Sequence, residues 1–226
     1  MTRKIMLFLF PAVLFSVFLG IKIASPKTYA DLVQEDSVIE YAQALGYFSA
    51  AIFAALTAAN LFRGNLSGHG LLYGLLSLGL LLVALEEISW GQRLLKITTP
   101  DYLIRHNLQN EISLHNLDSV QPLLHYAYIL TGAYGAFAWL AVKIFLPKPQ
   151  TKGWRIINFV VPDWFLSPFF FSVFFIYILL SFVSPSSKGF FQWRDQEPME
   201  LLLAMGFLFF TAQNFRKSHK KPEQPA

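Results

Sequence analysis

WFLSPFFFSVFFIYILLSFVSPSS, residues 164–187, runs for 24 residues without Asp, Glu, Lys or Arg. A helix rises ~1.5 Å per residue and the hydrocarbon core is ~30 Å thick, so about 20 mostly apolar residues cross it. This stretch reads as a membrane span. Residues 119–142 form a second uncharged run of the same length. Extending the same test in both directions gives six spans: 5–23, 41–62, 71–90, 123–146, 164–183 and 199–215. The first and last are the weakest, with 17 uncharged residues between Lys4 and Lys22 and 15 between Glu200 and Arg216. The expected fold is all-α: a polytopic membrane helical bundle of about six transmembrane helices, with short interfacial helices between the third and fourth. Residues 1–215 form one transmembrane domain and residues 216–226 a basic cytoplasmic tail.

Composition agrees. Of 226 residues, 54% are hydrophobic and only 14% charged, against about 25% charged in a soluble domain; mean hydropathy is +0.45. That excludes an ordinary cytosolic enzyme. The pI near 9.2 does not indicate a nucleic-acid binder, because the basic residues segregate by membrane side. With the N-terminus inside, the inner loops and termini hold eleven basic and two acidic residues, and the outer loops seven basic and twelve acidic. The positive-inside rule then places both termini in the cytoplasm. Cys is absent, which removes disulfides, thiolate metal sites and cysteine nucleophiles. Thr28-Tyr29-Ala30 loosely fits a signal cleavage site. Lys22, Pro26 and Lys27 separate it from the apolar run, so an uncleaved anchor is expected.

The second span carries Ala42, Gly46, Ala50, Ala54 and Ala58, a small residue at every fourth position and hence on one helix face. Such a stripe lets two helix backbones approach closely in lipid. Gly70 with Gly74, and Gly132 with Ala136, repeat the spacing.

Function concentrates in residues 86–118, EEISWGQRLLKITTPDYLIRHNLQNEISLHNLD. The apolar run 71–85 is too short to cross by itself, so the third helix begins near Gly68 or carries Glu86 and Glu87 into the hydrocarbon boundary. Carboxylates at that depth mark a functional site by default. Adjacent helical residues point ~100° apart, so one Glu faces the bundle and the other the interface. Thr99-Pro100-Asp101 predicts a capped helix through about Asn107. Asn110 would cap a second helix carrying Glu111, His115 and Asp118.

The residues Glu86-Glu87-Ile88-Ser89-Trp90-Gly91-Gln92-Arg93, Thr99-Pro100, Asn107, Gln109, Glu111 and Leu114-His115-Asn116 resemble the signature of a family of uncharacterised bacterial polytopic membrane proteins. Lys96 departs from that pattern. The resemblance implies that these residues act together and implies no particular chemistry or cofactor.

Four readings of the segment remain open. As an enzyme, Glu86 or Glu87 is the general base and His115 the acid, acting on a lipid-linked substrate. Arg93 clamps its anion, and Trp90, Gln92, Asn107, Gln109, Glu111 and Asn116 complete the binding surface. As a metal centre, Glu111 and His115 are ligands, with His125, His106 or the Glu86–Glu87 pair. As a transporter, Glu86, Glu87 and Asn60 relay protons or a cation. As a structural network, the same side chains pin the outer linker to the bundle and present a surface to a partner protein or lipid. This last reading is preferred. The second outer loop, with Arg194, Asp195 and Glu197, is expected to close over the first cluster or to remain a solvated loop.

Overall fold

The computed structural model describes residues 1–34, 37–107, 111–117, 119–146, 157–183 and 190–219, apart from the side chains of Arg93, Leu94 and Val183. The chain is an all-helical bundle. Five helical segments are long and apolar enough to cross a membrane: Thr2–Ala24, Val38–Arg63, Ser67–Glu87, Gln121–Phe145 and Ile157–Phe182. We label the first four α1, α3, α4 and α7. The short helices are α2 (Pro26–Leu32), α5 (Gln92–Leu95) and α6 (Asp101–His106); α8 (Ser167–Ile178) is the core of the fifth segment, and α9 is Glu197–His219.

The expected sixth span lies inside α9, which is long enough but is not among the five apolar helices. Its position explains this. Leu202, Ala204, Thr211 and Asn214 of α9 are completely buried, and α9 packs on both α3 and α8. A helix surrounded by protein has no need of a lipid-compatible face. Its polar residues tie the bundle together instead: Asn214 Nδ2 donates to the Tyr73 hydroxyl at 2.6 Å, and Tyr73 donates to the Phe159 carbonyl at 2.5 Å. The helix also continues through the start of the expected tail, to His219.

The long helices alternate in direction. Lys4, near the start of α1, lies 5.1 Å over the Phe165 ring before α8, whereas Lys22 at its other end reaches Asp195 before α9. Arg63, Lys143 and Lys217 gather at the first of these ends (the basic end), and Glu40, Glu87 and Glu197 at the second (the acidic end). Neighbouring packing runs α4–α3–α9–α8–α7, with α1 against α8.

Close approach follows the small residues. A Cβ on Gly46 would lie 3.1 Å from that of Ala204, so the α3 stripe is an internal seam against α9. Gly132 and Gly135 let α7 press on α8: a Cβ at Gly132 would come within 2.7 Å of the Phe174 backbone nitrogen. Gly70 faces Phe62, but nothing lies within 4 Å of a Cβ on Gly74, so the expected stripe on α4 is not continued.

At the acidic end, α4 starts at Ser67, close to the expected Gly68, and stops at Glu87 rather than Trp90. The stop is made by three successive left-handed residues, Ser89, Trp90 and Gly91, at φ of 46°, 56° and 75°. Two of them carry side chains, a conformation that costs about 1–3 kcal/mol at each non-glycine position. Surrounding bonds must therefore hold the turn.

Candidate functional site

Those bonds come from the linker. Glu86, at the end of α4, accepts from the Trp90 indole at 2.6 Å, from the backbone N–H groups of Leu114 and His115 at 2.6 and 3.0 Å, and lies 3.2 Å from His115 Nδ1. The Ser89 hydroxyl donates to Glu111 across the turn. Gln92 donates to the Thr99 hydroxyl at 2.7 Å and accepts from the Ile112 N–H at 2.7 Å. Asn107 donates to the Ser113 carbonyl at 2.8 Å and forms an isolated antiparallel bridge with Leu117. Glu86, Ser89 and Gln92 thus fasten residues 111–115 of the linker to the end of α4, Trp90 braces Glu86, and Asn107 ties the linker to itself.

Two local expectations change. Thr99 spends its hydroxyl on Gln92 and does not cap α6; Pro100 takes the N-cap position, and no side chain caps this helix. Residues 111–117 are bends and turns, not a helix. Glu111 and His115 are therefore not one helical turn apart, and among the described residues no three His, Asp or Glu side chains converge to hold a metal ion. His106 packs at a tilt against Tyr102 instead, with ring centroids 4.7 Å apart. Gln109, Asn110, Asp118 and the Arg93 side chain lie outside the described residues.

Beneath the fastened linker is a cavity with about 80 Å³ of free space. Five carboxyl side chains line it: Glu40 from α3, Glu87 from α4, Glu111 from the linker, and Glu197 and Glu200 from α9. Tyr177 donates to Glu200, and Tyr128 does so at 3.2 Å. Glu197 accepts from Gln43 at 3.2 Å. Glu87 accepts no hydrogen bond from the described residues. His115, Asn116 and His125 also reach the wall, and His125 stacks on Trp193 with centroids 4.7 Å apart. No Lys or Arg is among the described residues of the lining. The volume suits a few waters or one small charged group. Carboxylates so confined repel one another by several kcal/mol per close pair unless protons or a cation intervene.

The adjacent glutamates therefore divide as their 100° separation requires: Glu86 serves the linker and Glu87 the cavity. Of the remaining candidates, Glu111, His115 and Asn116 sit at the boundary of the two. Glu200, Tyr128 and Tyr177 escaped the sequence reading. The first could have been found by the argument that singled out Glu86, since it is also a carboxylate at the edge of a span. Asn60 lies at the opposite end of the bundle, hydrogen-bonded to Ser218 at 3.0 Å, so it shares no relay with Glu87.

The second outer loop divides too. Glu197 joins the cavity. Asp195 instead receives Lys22 Nζ at 2.6 and 2.5 Å and the Tyr29 hydroxyl at 2.6 Å. Burial, and then the bond to Asp195, push the Tyr29 phenol well above its ordinary pKa. The Lys22 ammonium also lies 4.9 Å over Phe190. This latch ties α1 and α2 to the start of α9.

Fold and site together define an all-helical, multi-pass bundle with an acidic cavity under a fastened linker at one end. No family model, no curated protein and no solved structure matches the chain.

Proposed function

We propose that this is a bacterial inner-membrane protein, with both termini cytoplasmic, that binds a small cationic group in its outward-facing cavity. The single observation that carries this reading is the lining: five glutamates around a space of about 80 Å³, with no Lys or Arg among its described residues. The alternating helices and the acidic and basic ends support the orientation. The resemblance in residues 86–118 accords with side chains that act together, here as a roof. The role is binding, with the fastened linker as a surface available to a partner protein or lipid. Acid–base catalysis by Glu87 and His115 on a lipid-linked phosphate is less well supported, because these walls repel an anion.

The test is the thermal midpoint of purified protein in nanodiscs, titrated with n-butylammonium, sodium, calcium and phosphate. A cation should raise the midpoint by mass action, and phosphate should not. Glu87→Gln combined with Glu200→Gln should abolish the rise. Stabilisation by phosphate, or a cation response that survives the double substitution, overturns the reading.

A further inference from the structure

The bundle is open on one side. α4 and α7, the two ends of the packing order, scarcely touch, and between them lies a groove with about 390 Å³ of free space. Leu76, Gly79 and Val83 form its α4 wall, and Ala127, Tyr128 and Thr131 its α7 wall. Tyr47 of α3 and Phe207 of α9 close the back. Leu75 to Val83 covers eight helical steps, about 12 Å along the membrane normal. That is most of one leaflet of a ~30 Å hydrocarbon core.

The groove and the acidic cavity share part of their walls. Leu124 and Tyr128 line both. One face of Tyr128 therefore belongs to an apolar channel open to lipid, while its hydroxyl donates to Glu200 in the cavity. A ligand following this path enters sideways from the bilayer, chain in the groove and head among the carboxyls.

Resting on the cavity reading above, we propose that the occupant is an amphiphile with a primary ammonium joined directly to a long alkyl chain. Charge complementarity selects the ammonium: its N–H groups can donate to Glu87, Glu197 and Glu200, with no anion to desolvate against the same walls. A phospholipid fits less well, since its phosphate would lie between chain and amine, at the Leu124–Tyr128 junction beside Glu200. The small cavity holds the head alone, and the groove supplies the remaining contact with the chain.

Gly79 offers a direct test. Nothing lies within 4 Å of a Cβ built there, so Gly79→Phe should fill the groove without disturbing the packing of α4 on α3. The full-length protein in nanodiscs is titrated with hexadecylamine, hexadecanol, hexadecyl phosphate and n-butylamine at neutral pH, following the thermal midpoint. Hexadecylamine should raise it by about 2–4 °C at concentrations well below those at which butylamine acts. The alcohol and the phosphate should be silent. Gly79→Phe should remove the hexadecylamine advantage and leave the butylamine response. Glu200→Gln, or Glu87→Gln should the first fail to fold, should weaken both. Equal potency of the two amines, with Gly79→Phe silent, defeats the groove and leaves the cavity reading standing. Absence of any amine response in the parent protein defeats both, and stabilisation by hexadecyl phosphate assigns the groove to an anionic lipid and overturns the proposal.

Discussion

Glu86 and Glu87 are neighbours in sequence and opposites in role. Glu86 gathers two backbone N–H groups, an indole and an imidazole. Both backbone N–H groups go to one oxygen and the Trp90 indole to the other, so Glu86→Gln can keep the backbone pair only by turning its amide N–H groups toward the indole, which then loses its partner. The bonds that remain also lose their charge assistance; the expected cost is ~1 kcal/mol, read as a lower thermal midpoint. Glu87→Gln removes one of five crowded carboxyls and strands no described donor. Its midpoint should be unchanged or higher, while the cation response falls. If the two substitutions destabilise equally, the division between linker and cavity is wrong.

Among the elements, close packing depends on which glycines lack room for a side chain. α7 meets α8 through Gly132, where a methyl group would press on backbone atoms of Phe174 and Phe170. Gly132→Ala should separate these helices and cost ~1–3 kcal/mol, as overpacking does in other cores. Gly74→Ala should be neutral or slightly stabilising, because its Cβ meets open space and alanine favours the helix. Thermal midpoints of the two variants in one nanodisc preparation decide this. Equal loss in both would mean that helix propensity and not the α7–α8 contact is being measured. The same comparison separates a spacing pattern that is used from one that is not.

For the whole molecule, the alternation of the long helices puts Leu114 at the acidic end and His219 at the basic end. Leu114 is 58% exposed and His219 is also exposed, and the chain has no Cys. Single Leu114→Cys and His219→Cys variants should therefore react with a membrane-impermeant maleimide from opposite sides, Leu114→Cys from outside intact cells. Labelling of both from outside would remove the cytoplasmic assignment of the C-terminus. The part-buried Lys22–Asp195 pair adds a second whole-molecule expectation. Asp195→Ala leaves an ammonium without its carboxylate and should cost about 3–5 kcal/mol, whereas replacing both with Leu and Met should recover much of it. A double-mutant cycle on the thermal midpoint measures the difference.

The uncharged runs at 119–142 and 164–187, and the segregation of charge, determined a helical membrane bundle from the sequence alone. The reason is that lipid tests every exposed residue for polarity, and the test is local. The α3 stripe likewise declared a close seam, because a four-residue spacing puts its members on one face whatever lies opposite. Its partner could not be read, and tertiary packing supplied α9. The absence of α9 from the apolar helices has the same origin: a helix shielded by protein escapes the lipid test, so hydropathy undervalues the most central element. The candidate site divides along this line. Glu86, Glu87, Trp90 and His115 were legible as unusual because polar groups at a span boundary are costly wherever they point. Glu40, Glu197, Glu200, Tyr128 and Tyr177 come from three other helices and the end of a fourth, separated by long stretches of chain. Only the packing of those helices brings their side chains around one cavity, and only that packing leaves a groove between α4 and α7 that shares Leu124 and Tyr128 with it.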